Sequence, residues 1–385
     1  MTPSLCIVQI LPALNSGGVE RGTLEIARAL VAAGHRSIVI SNGGRLVEQL
    51  VAEGSEHILM PVHRKSFASL LQIRPLRRLL AELKPDIVHA RSRIPAWIAW
   101  LALRRMSPET RPHFVTTVHG MYSVSFYSAI MTKGEVVIAV SDAVRQYVLQ
   151  NYPSCPPERI RLIYRGADTH EFPYGMQPDA EWLSNWREAN PQLAGKTVLG
   201  FPGRLSRIKG HDTFLNLLQA LKTDHPDLHG LIIGGAEAAK ESYASELEQR
   251  VRDLGLADSV TFTGHRNDMS RVLTQCDLVL SLRVTPEAFG RTTLEPLRLG
   301  KPVIGWDVGG VGEMLKRIFP FGAVPPGRED VLEARVRDWL AEPRHPSAST
   351  DFQLSTMCSE TLAVYAQLTQ PDIRAGNVDN RSSVS

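Results

Sequence analysis

PEAFGRTTLEPLRLGKPVIGWDVGG, residues 286–310, is the stretch on which the reading of this chain turns. Glu287 and Glu295 stand eight residues apart, the first followed by Phe289-Gly290 and the second carried on a periodic apolar helix. A strand over residues 302–305 follows, then a glycine corner at Gly309-Gly310. A helix entered at Gly290 leaves its first backbone N–H groups without partners inside the helix, and such a helix end favours an anion such as a phosphate. Glu287 falls just before this helix and Glu295 about a turn and a half inside it, so the two carboxylates reach different parts of one ligand. A carboxylate beside a phosphate is repelled by it and reads neutral hydroxyls instead, as sugars and ribose supply. The bland alternative is an amphipathic helix with a solvated glutamate, and the rest of the chain argues against it.

With 385 residues the chain can bury two cores. No apolar run approaches the roughly 20 residues that span a bilayer. The opening MTPSLCIVQI has no basic region and runs into a strand, so no secretory signal is visible. Cys6, Cys155, Cys276 and Cys358 are scattered without CxxC spacing, which points to neither a disulfide framework nor a zinc site. The expectation is a cytoplasmic protein.

Outward from the opening stretch, short apolar strands alternate with helices. In the first half the strands fall near residues 5–10, 37–41, 87–89, 114–118, 136–140 and 161–164. Residues 168–191, polar and rich in proline and tryptophan, form a junction, and strands restart at 197–201, 229–233, 260–263, 278–281 and 303–305. This is the pattern of two doubly wound parallel sheets covered on both faces, α/β in class, with ligand sites at the carboxyl ends of the strands and a shared central cleft. The expected divisions are a first doubly wound domain over 1–170, a junction over 171–195 and a second doubly wound domain over 196–348. A last helix over 349–370 packs back toward the first domain, and 371–385 is a disordered tail. No GxGxxG follows either first strand and no GxxxxGK[ST] is present, which argues against a dinucleotide oxidoreductase and a P-loop triphosphatase.

Three further positions converge on the opening stretch. In GRLSRIKG, residues 203–210, Arg204 and Lys209 put two cations on a loop at the mouth of the second sheet, suited to a pyrophosphate; the alternative is an ordinary solvated loop. His119 closes the strand VTTVH, a better functional position than mid-helix, though a satisfied core histidine is the competing reading. Gly17-Gly18 in the first loop lets backbone approach a ligand from the other domain.

These pieces resemble the retaining glycosyltransferases of family four, which have the two-domain GT-B architecture of Rossmann-like domains. The matching segments are LNSGGVE (14–20), TTVHG (116–120), VIAVSDAV (137–144), IYRGAD (163–168), GRLSRIKG (203–210), VTFTGHRND (260–268) and PEAFGRTTLEPLRLGKPVIG (286–305). The last carries the E-x7-E signature and is the most specific. The resemblance implies that Arg204 and Lys209 bind the diphosphate of a nucleotide-sugar, that Glu287 contacts sugar hydroxyls, and that Phe289 and Gly290 offer backbone N–H groups. It implies that Glu295 holds the ribose, that Arg266 joins the donor site, that His119 sits beside the transferred sugar, and that Gly17 and Gly18 line the cleft. His119, Arg204, Lys209 and Glu287 are the implied catalytic set, with Asp168 structural. Arg165 stands where relatives often have asparagine. Retention of anomeric configuration without metal or cofactor is implied too, with a UDP-sugar as the expected donor and no nucleic acid as partner. The competing reading is a catalytically silent GT-B homologue that binds a sugar nucleotide or glycan.

The first domain carries a basic run: Arg64, Lys65, Arg74, Arg77, Arg78, Lys84, Arg91, Arg93, Arg104, Arg105 and Arg111, with Trp97 and Trp100 among them. Basic residues beside aromatic ones suit an anionic membrane surface or a lipid-linked acceptor. A solvated helix packed through its tryptophans is the alternative. The loop after His119 supplies Tyr122 and Tyr127 as acceptor-side candidates. Members of the family that the chain resembles commonly build lipopolysaccharide or other lipid-linked glycans at the cytoplasmic membrane face. The resemblance, with this basic patch, implies a peripheral protein at the inner membrane in lipopolysaccharide or surface-polysaccharide synthesis.

Overall fold

The computed structural model describes residues 4–15, 17–64, 67–235 and 241–370. Seven strands make the first sheet: β1 (Cys6–Ile10), β2 (Arg36–Ser41), β3 (Glu56–Leu59), β4 (Ile87–Ala90), β5 (His113–Val118), β6 (Val136–Ala139) and β7 (Ile160–Leu162). Their order is β3-β2-β1-β4-β5-β6-β7, parallel throughout. The second sheet contains β8 (Thr197–Pro202), β9 (Leu228–Ile233), β10 (Val260–Phe262), β11 (Leu278–Ser281), β12 (Val303–Trp306) and β13 (Ala323–Val324). It is ordered β10-β9-β8-β11-β12-β13, again parallel. The central strands are buried along nearly their whole length because helices cover both faces, so they need not alternate between buried and exposed residues. In each sheet the order reverses beside the first strand, which opens a crevice at the carboxyl ends.

The last helix, Leu354–Thr369, crosses to the first domain. Its Met357, Val364 and Tyr365 join a core with Leu5, Ile7, Ile26 and Ile138, and the Tyr365 hydroxyl lies 2.6 Å from His89 Nδ1. A backbone bridge between Ala167 and Gln353 fastens the crossing.

Three expectations change. The edge strands β3 and β13 were not foreseen; the first is half-exposed and the second only two residues long, so neither has a sustained apolar run. Arg91 does not belong to the surface basic run: it follows β4, is 4% exposed, and its Nη1 donates to Gln9 Oε1 at 2.9 Å. Trp97 and Trp100 pack against the core from the helix Arg93–Leu103, and Trp97 Nε1 donates to the Tyr127 carbonyl at 3.0 Å. Lys65 and the expected tail over 371–385 lie outside the described residues.

Candidate active site

The opening stretch forms one wall of the cleft. Gly290, at φ 103°, caps the helix Arg291–Arg298 with no side-chain cap, so the helix end is left to a ligand or water. That positive φ is open to glycine and strained for other residues. The turn ahead of it is pinned by the second helix of the stretch, Gly309–Ile318, where Gly310 N–H donates to the Glu287 carbonyl at 2.8 Å. A Cβ on Gly310 would stand 2.5 Å from Phe289 Cα, so only glycine allows this approach.

Glu287 is thereby aimed at two cations. Its Oε1 accepts from Lys209 Nζ at 3.1 Å and from Arg283 Nη1 at 3.1 Å. Burial would raise this carboxyl, but Lys209 and Arg283 outweigh it and hold the group below its ordinary value. Glu287 is therefore ionised and engaged. Arg204 and Lys209 come from the loop after β8, which is anchored by Gly203 N–H to the Ile233 carbonyl at 2.9 Å.

The first domain supplies the facing wall. Gly17 and Gly18 begin the helix Gly18–Ala32, again without a side-chain cap. His119 follows β5 with both ring nitrogens buried and without hydrogen-bond partners. Burial first, then Arg91, Arg165 and His89, drive its pKa well below the usual histidine value, so the ring is neutral. Tyr122 lies on the same wall beneath the Arg93 guanidinium, 4.5 Å from its ring centroid.

These groups share one cleft of about 740 Å³, which brings together Gly17, Gly18, His119, Tyr122, Arg204, Lys209, Glu287, Phe289 and Gly290. Arg165 and Arg283 line it as well; sequence reading gave neither a place there. Tyr127 does not line it: its ring sits under Arg93 at 5.1 Å and its carbonyl serves Trp97.

A neighbouring cavity of about 420 Å³ holds Glu295 and Arg266, with Gly17 lining both. Glu295 is 6% exposed and accepts from Arg291 Nε at 3.1 Å, with Arg21 Nη1 at 3.7 Å. Burial raises its carboxyl despite these two cations. Arg266 is fixed by Asp268 at 2.8 and 2.5 Å, and Asp268 also accepts from Trp182 Nε1 at 2.8 Å. Asp168 lines this cavity too, its Oδ1 accepting the His170 N–H at 2.8 Å. Among the described residues no group of three His, Cys, Asp or Glu side chains is placed to hold a metal ion. The larger cavity gathers Arg165, Arg204, Lys209, Arg283 and an open helix end, which together can attract an anion, and Glu287 and Glu295 place a carboxylate in each cavity.

Comparison with known proteins agrees with this fold. Residues 16–171 match the family model for Glycosyltransferase Family 4, and residues 184–351 match that for Glycosyl transferases group 1. A glycosyltransferase from Rickettsia africae superposes with a TM-score of 0.83 at 29% identity, covering 95% of this chain and 98% of that one. HepE of Anabaena, solved with UDP, gives a TM-score of 0.80 at 21% identity over 94% and 100%. The lipopolysaccharide core biosynthesis mannosyltransferase LpsB of Rhizobium meliloti is 33% identical over 154 residues, 40% of this chain and 42% of that one. The chain is thus built of two glycosyltransferase domains in the GT-B arrangement, and sugar transfer is the reaction class they carry.

Proposed function

We propose that this glycosyltransferase moves a sugar from a UDP-sugar to a lipid-linked or lipopolysaccharide-type glycan, with retention of anomeric configuration and without a metal ion. The observation that carries the reading is the single cleft in which Arg204, Lys209 and the open helix end at Gly290 meet Glu287, with Glu295 in the adjoining cavity. The diphosphate lies against Arg204 and Lys209, Glu287 reads sugar hydroxyls, and Glu295 takes the ribose. The occupied UDP site of HepE supports the choice of base.

In the transfer the bond from the sugar C1 to the β-phosphate oxygen breaks, and the acceptor oxygen bonds to C1 on the same face. The acceptor's proton passes to the departing phosphate oxygen. Fixed cations stabilise the charge that develops on that oxygen, the largest available lowering of the barrier. The competing double displacement needs a free carboxylate under the ring. Glu287, held by Lys209 and Arg283, is a poor nucleophile.

LpsB supports the acceptor class by its own role. Arg74, Arg78, Arg104 and Arg105 on the first domain are exposed, as are Phe126 at 83% and Leu71 at 73%, a surface suited to an anionic bilayer at the inner membrane's cytoplasmic face. No described helix is long and apolar enough to cross a membrane.

The test is turnover of UDP-sugars with and without EDTA, with the anomeric configuration of the product read by NMR. Retained configuration and indifference to EDTA are expected. An inverted product or loss of turnover in EDTA contradicts the mechanism, and tight donor binding with no turnover makes the protein a silent binder.

A further inference from the structure

Arg165 lies three residues beyond the end of β7, in the segment that leads out of the first domain. It is 7% exposed and lines the larger cleft with Arg204 and Lys209 of the other domain. Its Nη2 donates to the Gly18 carbonyl. The nearest carboxylate oxygen paired with it, Glu25 Oε2, is 4.0 Å away, too far for a hydrogen bond. Glu25 is in any case committed through Oε1 to Arg291 Nη1 at 2.7 Å.

The charge count around this point is uneven. Arg91, Arg165 and Arg291 are all buried about Glu25, and Glu295 is shared by Arg291 and Arg21. A buried guanidinium without a full set of acceptors is costly. The cost shows in Arg165, whose value burial drops to about 9 although Glu25 opposes the fall.

The fold has nevertheless made room for this side chain. A Cβ on Gly22 would stand 2.5 Å from Arg165 Nη2, and one on Gly18 would stand 2.9 Å from Nη1. Two glycines one turn apart on the first helix therefore form a slot that admits the guanidinium. Glu20, in the first turn of that helix, reports where the slot opens. Burial raises its carboxyl while Arg165 and Arg204 both pull it down, so arginines from opposite domains act on one small volume.

We propose that Arg165 is the first domain's ligand for the donor diphosphate, completing from that side the cation set that Arg204 and Lys209 form on the other. The proposal rests on the reading of the cleft as a nucleotide-sugar site. It makes the diphosphate a bridge between the domains, so that donor binding itself favours the closed cleft.

The test separates phosphate from nucleoside. UDP and uridine are titrated into the wild type, Arg165→Gln, Arg165→Lys and Gly22→Ala, with Glu295→Ala as a control for the nucleoside side. Arg165→Gln should weaken UDP by tenfold or more and leave uridine unchanged, so the UDP-to-uridine ratio collapses. Gly22→Ala, which keeps the arginine but displaces its head, should move the ratio the same way, and Arg165→Lys should retain part of it. Glu295→Ala should weaken both ligands together. An unchanged ratio in folded Arg165→Gln overturns the proposal; should that variant not fold, an unchanged ratio in Gly22→Ala overturns it equally. Failure of folded wild type to bind UDP, GDP or ADP overturns the nucleotide-site reading itself, and this one with it.

Discussion

Replacing Arg291 by glutamine cuts the charge relay between the two domains. Arg291 belongs to the second domain, yet its Nη1 reaches Glu25 of the first at 2.7 Å while its Nε holds Glu295 at 3.1 Å. The three side chains are only 14%, 10% and 8% exposed. Burial disfavours the guanidinium, but Glu25 and Glu295 outweigh it and raise its value. Removing one partner from such a pair leaves buried charge uncompensated, a loss of about 3–5 kcal/mol. Part is recovered because Glu295 keeps Arg21 at 3.7 Å, which favours the lower end of that range. The assay is denaturant unfolding of wild type, Arg291→Gln, Glu25→Gln and the double variant, followed by tryptophan fluorescence. The double variant should be less destabilised than the sum of the singles by at least about 1.5 kcal/mol, since the second change removes the orphaned charge. Additive losses, or an Arg291→Gln variant within about 0.5 kcal/mol of wild type, would refute the reasoning.

Other consequences can be checked in parallel. His211 is fully buried, and burial lowers its value to about 4 although the Ser206 backbone and Asp212 oppose the fall. The unfolded chain therefore takes up this proton first, and stability should fall by about 3 kcal/mol between roughly pH 6.5 and 4; His211→Phe should flatten that slope, and an unchanged slope rejects the assignment. Glu287 acts in the same direction at lower pH: its depressed carboxyl contributes stability that is full above about pH 4.3 and lost as pH falls through its lower folded value. Lys209→Met should accordingly shift acid unfolding to higher pH, and an unmoved midpoint contradicts the ion pair. Gly310→Ala should push the Glu287–Phe289 turn out of place, destabilising the protein by about 1–3 kcal/mol and weakening donor binding; wild-type affinity in a folded variant argues against the close approach. Loss of Arg77 and Arg78 together should reduce sedimentation with anionic vesicles, and undiminished binding removes the membrane role.

Most of the architecture could be read in the chain, since apolar runs such as CIVQI and VVIA admit few alternatives to covered parallel strands. The same holds for the stretch around Glu287 and Glu295, whose local spacing places its helix and turn. What escaped reading is long-range. Arg291 and Glu25 are 266 positions apart, and Arg165 meets Gly18 across 147. No local pattern marks such pairs. Arg91 was misplaced because a count of charges along the chain ignores where a strand end points. Tyr127 is near His119 in sequence yet lies outside the cleft that Tyr122 lines, where its carbonyl serves Trp97.

Calorimetric titration with UDP-, GDP- and ADP-sugars is the decisive test of a nucleotide-sugar site built from both domains. Wild type, Arg204→Ala and Glu295→Ala should be compared in EDTA. Tight binding of a UDP-sugar, lost by at least tenfold in each variant, is expected. Binding of none of the donors by folded protein, or binding indifferent to both substitutions, would contradict it.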